Sequence, residues 1–293
     1  MRQTTIARVV EWDGVGLHTG TRVRVSLAPA PADTGIVFAR AATGGEAEIV
    51  IPARHGFLRA SARATTLGLE PGVRAELGSP SSGSAMQVAT VEHLLATLYA
   101  LGIDNVRVRV EGPELPAMDG SALPLVAEVV RAGRAALAAE QRVVRLTEPI
   151  EIRDGDRSIV ATPAERLQVG YSIVFDHPMI GRQTVELCDL DANRFENEVA
   201  GARTFGFVHE VEALRAAGLA RGASLDNTLV LDERGLLNEG GLRYPDEFVR
   251  HKVIDLLGDL ALIGAPLRAR IEVERGGHAL HHRLVEAIIE SES

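Results

Sequence analysis

Two stretches of this chain carry ionisable side chains at spacings that suit metal-assisted hydrolysis. In RHKVIDLLGDLALIGAP, Arg250 to Pro266, a histidine and two aspartates stand at positions 251, 255 and 259. At about 100° per residue, His251, Asp255 and Asp259 fall within about 80° of one another, a stripe roughly two turns long on one helix face. Val249, Val253, Leu256, Leu257 and Leu260 lie broadly opposite. A polar stripe opposite an apolar face usually marks a solvated surface. Here Phe248 and Leu262 sit on the polar side, and His, Asp and Asp stand where a solvated face would more often carry Lys and Glu, so this helix is expected to be covered on both sides. The second stretch, TVEHLLATLYALGIDN from Thr90 to Asn105, is another apolar helical run, with Glu92 and His93 side by side.

A histidine and an aspartate at i and i+4 lie one above the other and can share a zinc ion. Catalytic zinc commonly takes three protein ligands and keeps one position open, so a third must come from elsewhere. His93 is the candidate, and Glu92 beside it is placed to act as general base. Taken alone, Glu92 and His93 would read as a first-turn acid and a packed histidine.

The elements that must bring these helices together repeat in order. RVRVSLAP, GIVFAR and AEIVIPA (from Ala47) alternate as strands, followed by a helix near 89–101, a strand IDNVRVRVEG and a helix near 121–132. The second half gives QRVVRLTEPIEI, RSIVATP and LQVGYSIVF, a helix near 246–263, a strand LRARIEVERG and a helix near 277–290. Helix stops fall at Gly102 and Gly264, the latter followed by Pro266. GIDNVRVRVEGPELPAMDGSALPLVAEVV also resembles GAPLRARIEVERGGHALHHRLVEAII, each closing on a glycine, a polar residue, Ala-Leu and an apolar helix. A duplicated α+β unit explains this, with domains at 1–134 and 141–293. The His93 and His251 helices would then hold equivalent places and could face each other between the domains.

Composition bounds the function. With 293 residues, 46% of them apolar, the chain can bury a large core, and a net charge of −9 without a basic cluster argues against a nucleic-acid partner. The single cysteine, Cys188, excludes an internal disulfide and any site of several cysteines, and fits a reducing compartment. No window approaches the roughly 18–20 apolar residues of a membrane span, and MRQTTIARVVEW lacks a signal-peptide core, so a cytoplasmic protein is expected.

GVGLHTG, TVEHL, GIDN, PELPAMDGSA, ARTFGF, GLRYPDEFVRHKVIDLLGDL and GGHAL together resemble the UDP-3-O-acyl-N-acetylglucosamine deacetylases, zinc amidases of lipid A biosynthesis, in the same order over nearly the whole chain. The resemblance implies two similar two-layer domains, each a mixed sheet with helices, packed helix layer to helix layer around the active site. It makes His93, His251 and Asp255 the zinc ligands and Glu92 the base. It makes His278 of GGHAL the general acid, held protonated by Asp259. Thr204 of ARTFGF would contact the oxyanion, and Phe205 and Lys252 the substrate, an acylated UDP-sugar. VHEVEALRAAGLARG would be a short amphipathic helix lining an acyl-chain passage. One departure follows GGHAL, where the family often has asparagine or another polar residue and this chain has His281 and His282. At i+3 and i+4 from His278 they share its face and offer a second zinc site, so excess zinc is expected to inhibit.

A different amidohydrolase of acylated sugar nucleotides would use the same residues. A non-catalytic sugar-nucleotide binder would not need Glu92 and His278 together. The ligand set also admits iron.

Overall fold

The computed structural model describes residues 1–40, 48–69 and 87–292. The first half runs β1 (Arg2–Ile6), β2 (Val10–Val15), β3 (Arg22–Pro29), β4 (Ile36–Arg40), β5 (Ile49–Pro52) and β6 (Leu58–Ala60). It continues through β7 (Thr66–Gly68), β8 (Gln87–Val88), α1 (Glu92–Ala100), β9 (Val106–Glu111), α2 (Leu123–Ala132) and β10 (Arg134–Glu140). The second half runs β11 (Val144–Arg145), β12 (Ile150–Asp154), β13 (Arg157–Pro163), β14 (Gln168–Phe175), β15 (Gly181–Leu187) and α3 (Ala192–Arg194). Then come β16 (Phe205–Phe207), α4 (Val208–Ala216), β17 (Leu229–Leu231), α5 (Glu247–Leu260), β18 (Leu267–Glu274) and α6 (His278–Ser291).

The two large sheets follow one plan. The order β2-β3-β9-β4-β5 in the first half is matched by β12-β13-β18-β14-β15 in the second. In each, one pair is parallel, β4 with β9 and β14 with β18, and the other pairs along that path are antiparallel. Identical order with an identical parallel pair is what duplication of one unit produces, and mixed sheets layered with helices make the fold α+β. Period-2 alternation buries Val106, Val108 and Val110 on β9 and Leu267, Ala269, Ile271 and Val273 on β18.

The helix layers meet at α1 and α5, the most extensive helix-to-helix contact in the molecule. All of α5 except Arg250 and Lys252 is buried, so its polar stripe is covered as its apolar face is. What permits the contact is Gly258: a Cβ there would come 2.2 Å from the Glu92 carbonyl oxygen and 2.7 Å from Glu92 Cα. The α5 backbone therefore rests directly on the first turn of α1. Beyond α5, Gly264 takes a left-handed φ of 76° and stops the helix, as expected from the Gly-x-Pro punctuation.

Two elements differ from the sequence reading. QRVVRLTEPIEI is two strands: β11 runs parallel to β18, and β12 pairs antiparallel with β13. The break contains Pro149, which has no N–H for a ladder. Residues Arg134–Glu140, read as a link between halves, form β10 and pair with β1. Ala47, at the start of the expected strand AEIVIPA, lies outside the described residues, and the strand itself begins at Ile49. Among the described residues no helix is long and apolar enough to cross a membrane.

Candidate active site

The stripe on α5 and the first turn of α1 converge. His93, His251 and Asp255 each offer a ligand atom, all within 4.8 Å of one another. Asp255 Oδ1 lies 3.5 Å from His251 Nε2 and 3.8 Å from His93 Nε2. Donors about 2.0–2.1 Å from one tetrahedral ion stand about 3.3 Å apart, so the spacing fits a shared metal with little adjustment. The protonation states fit as well. His251 Nδ1 donates to the Ala202 carbonyl at 3.1 Å, which fixes the tautomer and leaves Nε2 as the lone-pair nitrogen on the metal side. Burial, with His251 nearby, pushes His93 down to about 3, and burial lowers His251 against the pull of Asp255. Burial would raise Asp255, but Lys252 and His251 outweigh it and hold its carboxyl well below the usual range. Two neutral imidazoles and a carboxylate are a cation's ligand set.

The approach to α1 is strained. Thr90 adopts a φ of 57°, rare for a β-branched residue, two positions before Glu92. Its hydroxyl donates to Glu114 at 2.9 Å. Glu114 is fully buried and also accepts from the backbone of His18 and Thr19 and from the Thr19 hydroxyl. The motifs GVGLHTG and PELPAMDGSA are thereby tied to the start of α1, which explains chemically suggestive residues that touch no metal ligand.

Beside His93, His251 and Asp255 lie a buried carboxyl, Glu92, and a buried imidazole, His278. Burial pushes Glu92 up to about 7, with His278 opposing and Asp255 adding to the rise. Its Oε2 accepts from the Thr65 backbone N–H at 3.0 Å. His278 Nδ1 donates to Asp259 Oδ2 at 2.7 Å. Burial alone would lower His278, but Asp259, with Asp255 and Glu92, pushes it up to about 10. Asp259 Oδ1 accepts from the Thr65 hydroxyl at 2.6 Å. Thr65 touches both Glu92 and Asp259, yet nothing in ARATTLG singles it out, because it arrives through a loop that only the fold places there.

Eight of the nine residues picked from sequence line one interdomain cavity of about 190 Å³: Glu92, His93, Thr204, Phe205, His251, Lys252, Asp255 and His278. Asp259 stands behind His278 and does not line it. Thr204 is fixed by its backbone, donating to Gly120 O and accepting from Leu229 N, both at 2.8 Å. The Phe205 ring packs on Phe248 and Phe175, with centroids 5.1 and 5.5 Å away. Lys252 Nζ lies over Phe205 at 5.5 Å and donates to Asp255 Oδ2 at 2.8 Å, so its ammonium is already engaged beside His93, His251 and Asp255. Fully buried Glu247 braces the ARTFGF stretch through the Arg203 backbone and guanidinium at 3.0 and 2.8 Å. Sequence reading also missed Arg63, which faces the cavity from a φ of 70° and holds Glu210 of α4 through two 3.0 Å bonds.

Of the two extra histidines, His282 joins Asp259 and His278 in a second group with ligand atoms within 4.8 Å of one another. His281 does not. Its Nδ1 meets Asp259 Oδ2 at 2.9 Å and its Nε2 meets the Tyr171 hydroxyl at 2.9 Å.

The family model described as UDP-3-O-acyl N-acetylglycosamine deacetylase matches residues 3–290. The chain belongs to that family. Among similar proteins, one from Anaeromyxobacter sp. (strain Fw109-5) is 43% identical over 287 residues, covering 98% of this chain and 88% of that protein. One from Phenylobacterium zucineum (strain HLK1) is 44% identical over 288 residues, 98% of this chain and 93% of that protein. One from Myxococcus xanthus (strain DK1622) is 42% identical over 291 residues, 99% of this chain and 87% of that protein. Each bears the name UDP-3-O-acyl-N-acetylglucosamine deacetylase. The span matched to the deacetylase family takes in both sheets, the paired helices and every residue of the cavity.

Proposed function

We propose that this chain hydrolyses the 2-acetamide of UDP-3-O-acyl-N-acetylglucosamine to the free amine and acetate, the committed step of lipid A biosynthesis, with one zinc ion. The observation that carries the reading is the convergence of His93, His251 and Asp255 beside a buried acid and an aspartate-held imidazole in one cavity. Zinc held by those three residues would supply Lewis acidity.

The chain's own groups do the proton work. Glu92, pushed up to about 7, is basic enough near neutral pH to take the proton from the attacking water. The Thr65 N–H holds one of its oxygens and so orients the other. The Thr204 hydroxyl stabilises the negative oxygen that develops as the carbonyl carbon becomes tetrahedral. His278 is charged, its Nδ1 is committed to Asp259, and its Nε2 delivers a proton to the departing nitrogen. Phe205 supplies a rigid apolar wall, and Lys252 a cation next to the ligands for the substrate's diphosphate. The acyl chain is placed by α4, beside Leu17 and Phe207. The domains on either side are 1–134 and 141–293. A cytoplasmic location accords with the lone cysteine.

Elemental analysis and acetate release on the same sample test this. About one divalent ion per chain is expected in active protein, with both metal and activity lost in His251→Ala. Full activity in metal-free protein would overturn the reading.

A further inference from the structure

Asp259 meets three imidazoles, His278 and His281 at Oδ2 and His282 at Oδ1. The deacetylation scheme uses only His278, yet His281 approaches the same oxygen, Oδ2, at 2.9 Å against 2.7 Å for His278. Behind His281, the Tyr171 hydroxyl lies 2.9 Å from Nε2, and Tyr171, His281 and Asp259 are all 0% exposed. A carboxylate only accepts, so His281 Nδ1 carries the proton and donates to Asp259. The neutral ring then presents a lone pair at Nε2, and the Tyr171 phenol donates into it. Each link has one proton and one direction.

Two features keep this row in place. Tyr171 belongs to β14, paired with β15 on one side and β18 on the other, so its backbone is held on both edges. Gly276 leaves the space that the phenol and imidazole need: a Cβ there would come 2.6 Å from the Tyr171 hydroxyl and 3.2 Å from His281 Nε2. The row therefore runs from a fixed strand, through α6, to the carboxylate on α5.

We propose that His281, anchored by Tyr171, is a positioning residue for the deacetylation: it holds the Asp259 carboxylate in the orientation that fixes His278 Nδ1 and keeps His278 Nε2 turned to the cavity. The inference rests on the reading of His278 as proton donor. Thr65 holds the other oxygen of Asp259 at 2.6 Å, with His282 Nε2 3.4 Å from that same oxygen, so without His281 the oxygen that meets His278 loses its second partner.

The test measures kcat, KM, zinc content and Tm on zinc-loaded protein. His281→Leu should lower kcat about 10-fold, the low end for loss of an outer partner that orients a site residue, with KM and zinc content near wild type. Tyr171→Phe, which removes one oxygen and keeps the ring, should lower kcat in the same direction by less. His281→Asn should recover most of the rate, because Asn Nδ2 takes the place of His Nδ1 and can donate to Asp259. In an Asp259→Ala background, His281→Leu should cost nothing further, since it acts through that carboxylate. A purely structural role would lower Tm while leaving kcat of the folded protein unchanged.

Wild-type kcat in folded His281→Leu, or full additivity with Asp259→Ala, would overturn the inference. Where His281→Leu fails to fold, Tyr171→Phe decides, and wild-type kcat there overturns it. His278→Ala separates the two levels: a slow His278→Ala beside a fast His281→Leu refutes the positioning role alone, whereas a fast His278→Ala refutes the proton-donor reading and this inference with it.

Discussion

Adding a single methyl group at Gly258 should disable this site from within the helix interface. The Cβ of Gly258→Ala would sit 2.2 Å from the Glu92 carbonyl oxygen and 2.7 Å from both its carbonyl carbon and Cα. Ordinary contact begins near 3.4 Å, so about 1.2 Å must be found at the oxygen, and all three obstructing atoms are backbone. No side-chain rotation can relieve that. The start of α1 must slide away from α5, carrying Glu92 and His93 with it, while His251 and Asp255 stay. Overpacking of this size costs about 1–3 kcal/mol, which for a chain of this length lowers Tm by about 2–10 °C. The larger effect is on chemistry, because a displacement of about 1 Å at a reacting geometry costs on the order of 10²-fold in rate. Differential scanning calorimetry, zinc titration and steady-state kinetics on one preparation would measure all three. Zinc affinity should weaken, since one ligand moves relative to two. Wild-type Tm, zinc affinity and kcat together would mean that α1 and α5 do not approach each other as closely as described, and the metal-ligand cluster would need another geometry.

Other expectations concern individual groups. Glu92→Gln should keep its zinc and KM while kcat falls by on the order of 10² to 10⁴; loss of zinc there would make Glu92 a ligand or a ligand's support. Activity should be bell-shaped in pH, because the proposed scheme needs Glu92 ionised and His278 protonated. From about 7 and about 10 without metal, a bound cation draws both limbs lower. Removing the negative charge in Asp259→Asn should move the basic limb further down, and an unmoved limb would assign proton donation to another group. Excess zinc should inhibit through Asp259, His278 and His282, and His282→Gln should relieve it; equal inhibition in that variant would place the second ion elsewhere.

Much of the site was legible in the sequence because helical spacing is local. The i to i+4 spacing of His251 and Asp255 puts both on one face of α5 whatever the rest of the chain does, and period-2 alternation marked β3, β9, β13 and β18 in the same way. The matching order of elements in the two halves was legible too, and with it the idea that α1 and α5 face each other. Family motifs then named His278, Thr204, Phe205 and Lys252, which no periodicity could assign, and gave a role to Asp259, which the stripe had already singled out. What only the tertiary structure decided is how groups far apart in the chain share atoms. Thr65 reaches Asp259 across 194 positions and the Glu92 carboxylate across 27. Lys252 spends its ammonium on Asp255 rather than on open solvent. His281 and His282, adjacent in sequence, reach different oxygens of Asp259, because successive side chains on α6 diverge by about 100°. Beyond Asp259, His281 meets the Tyr171 phenol of a strand and His282 the Thr65 hydroxyl. β10 found β1 for the same kind of reason, since RAALAAE alternates too weakly to declare a strand until a partner's backbone supplies the ladder. Spacing fixes which side chains share a face, but packing of faces and closure of loops fix which faces meet.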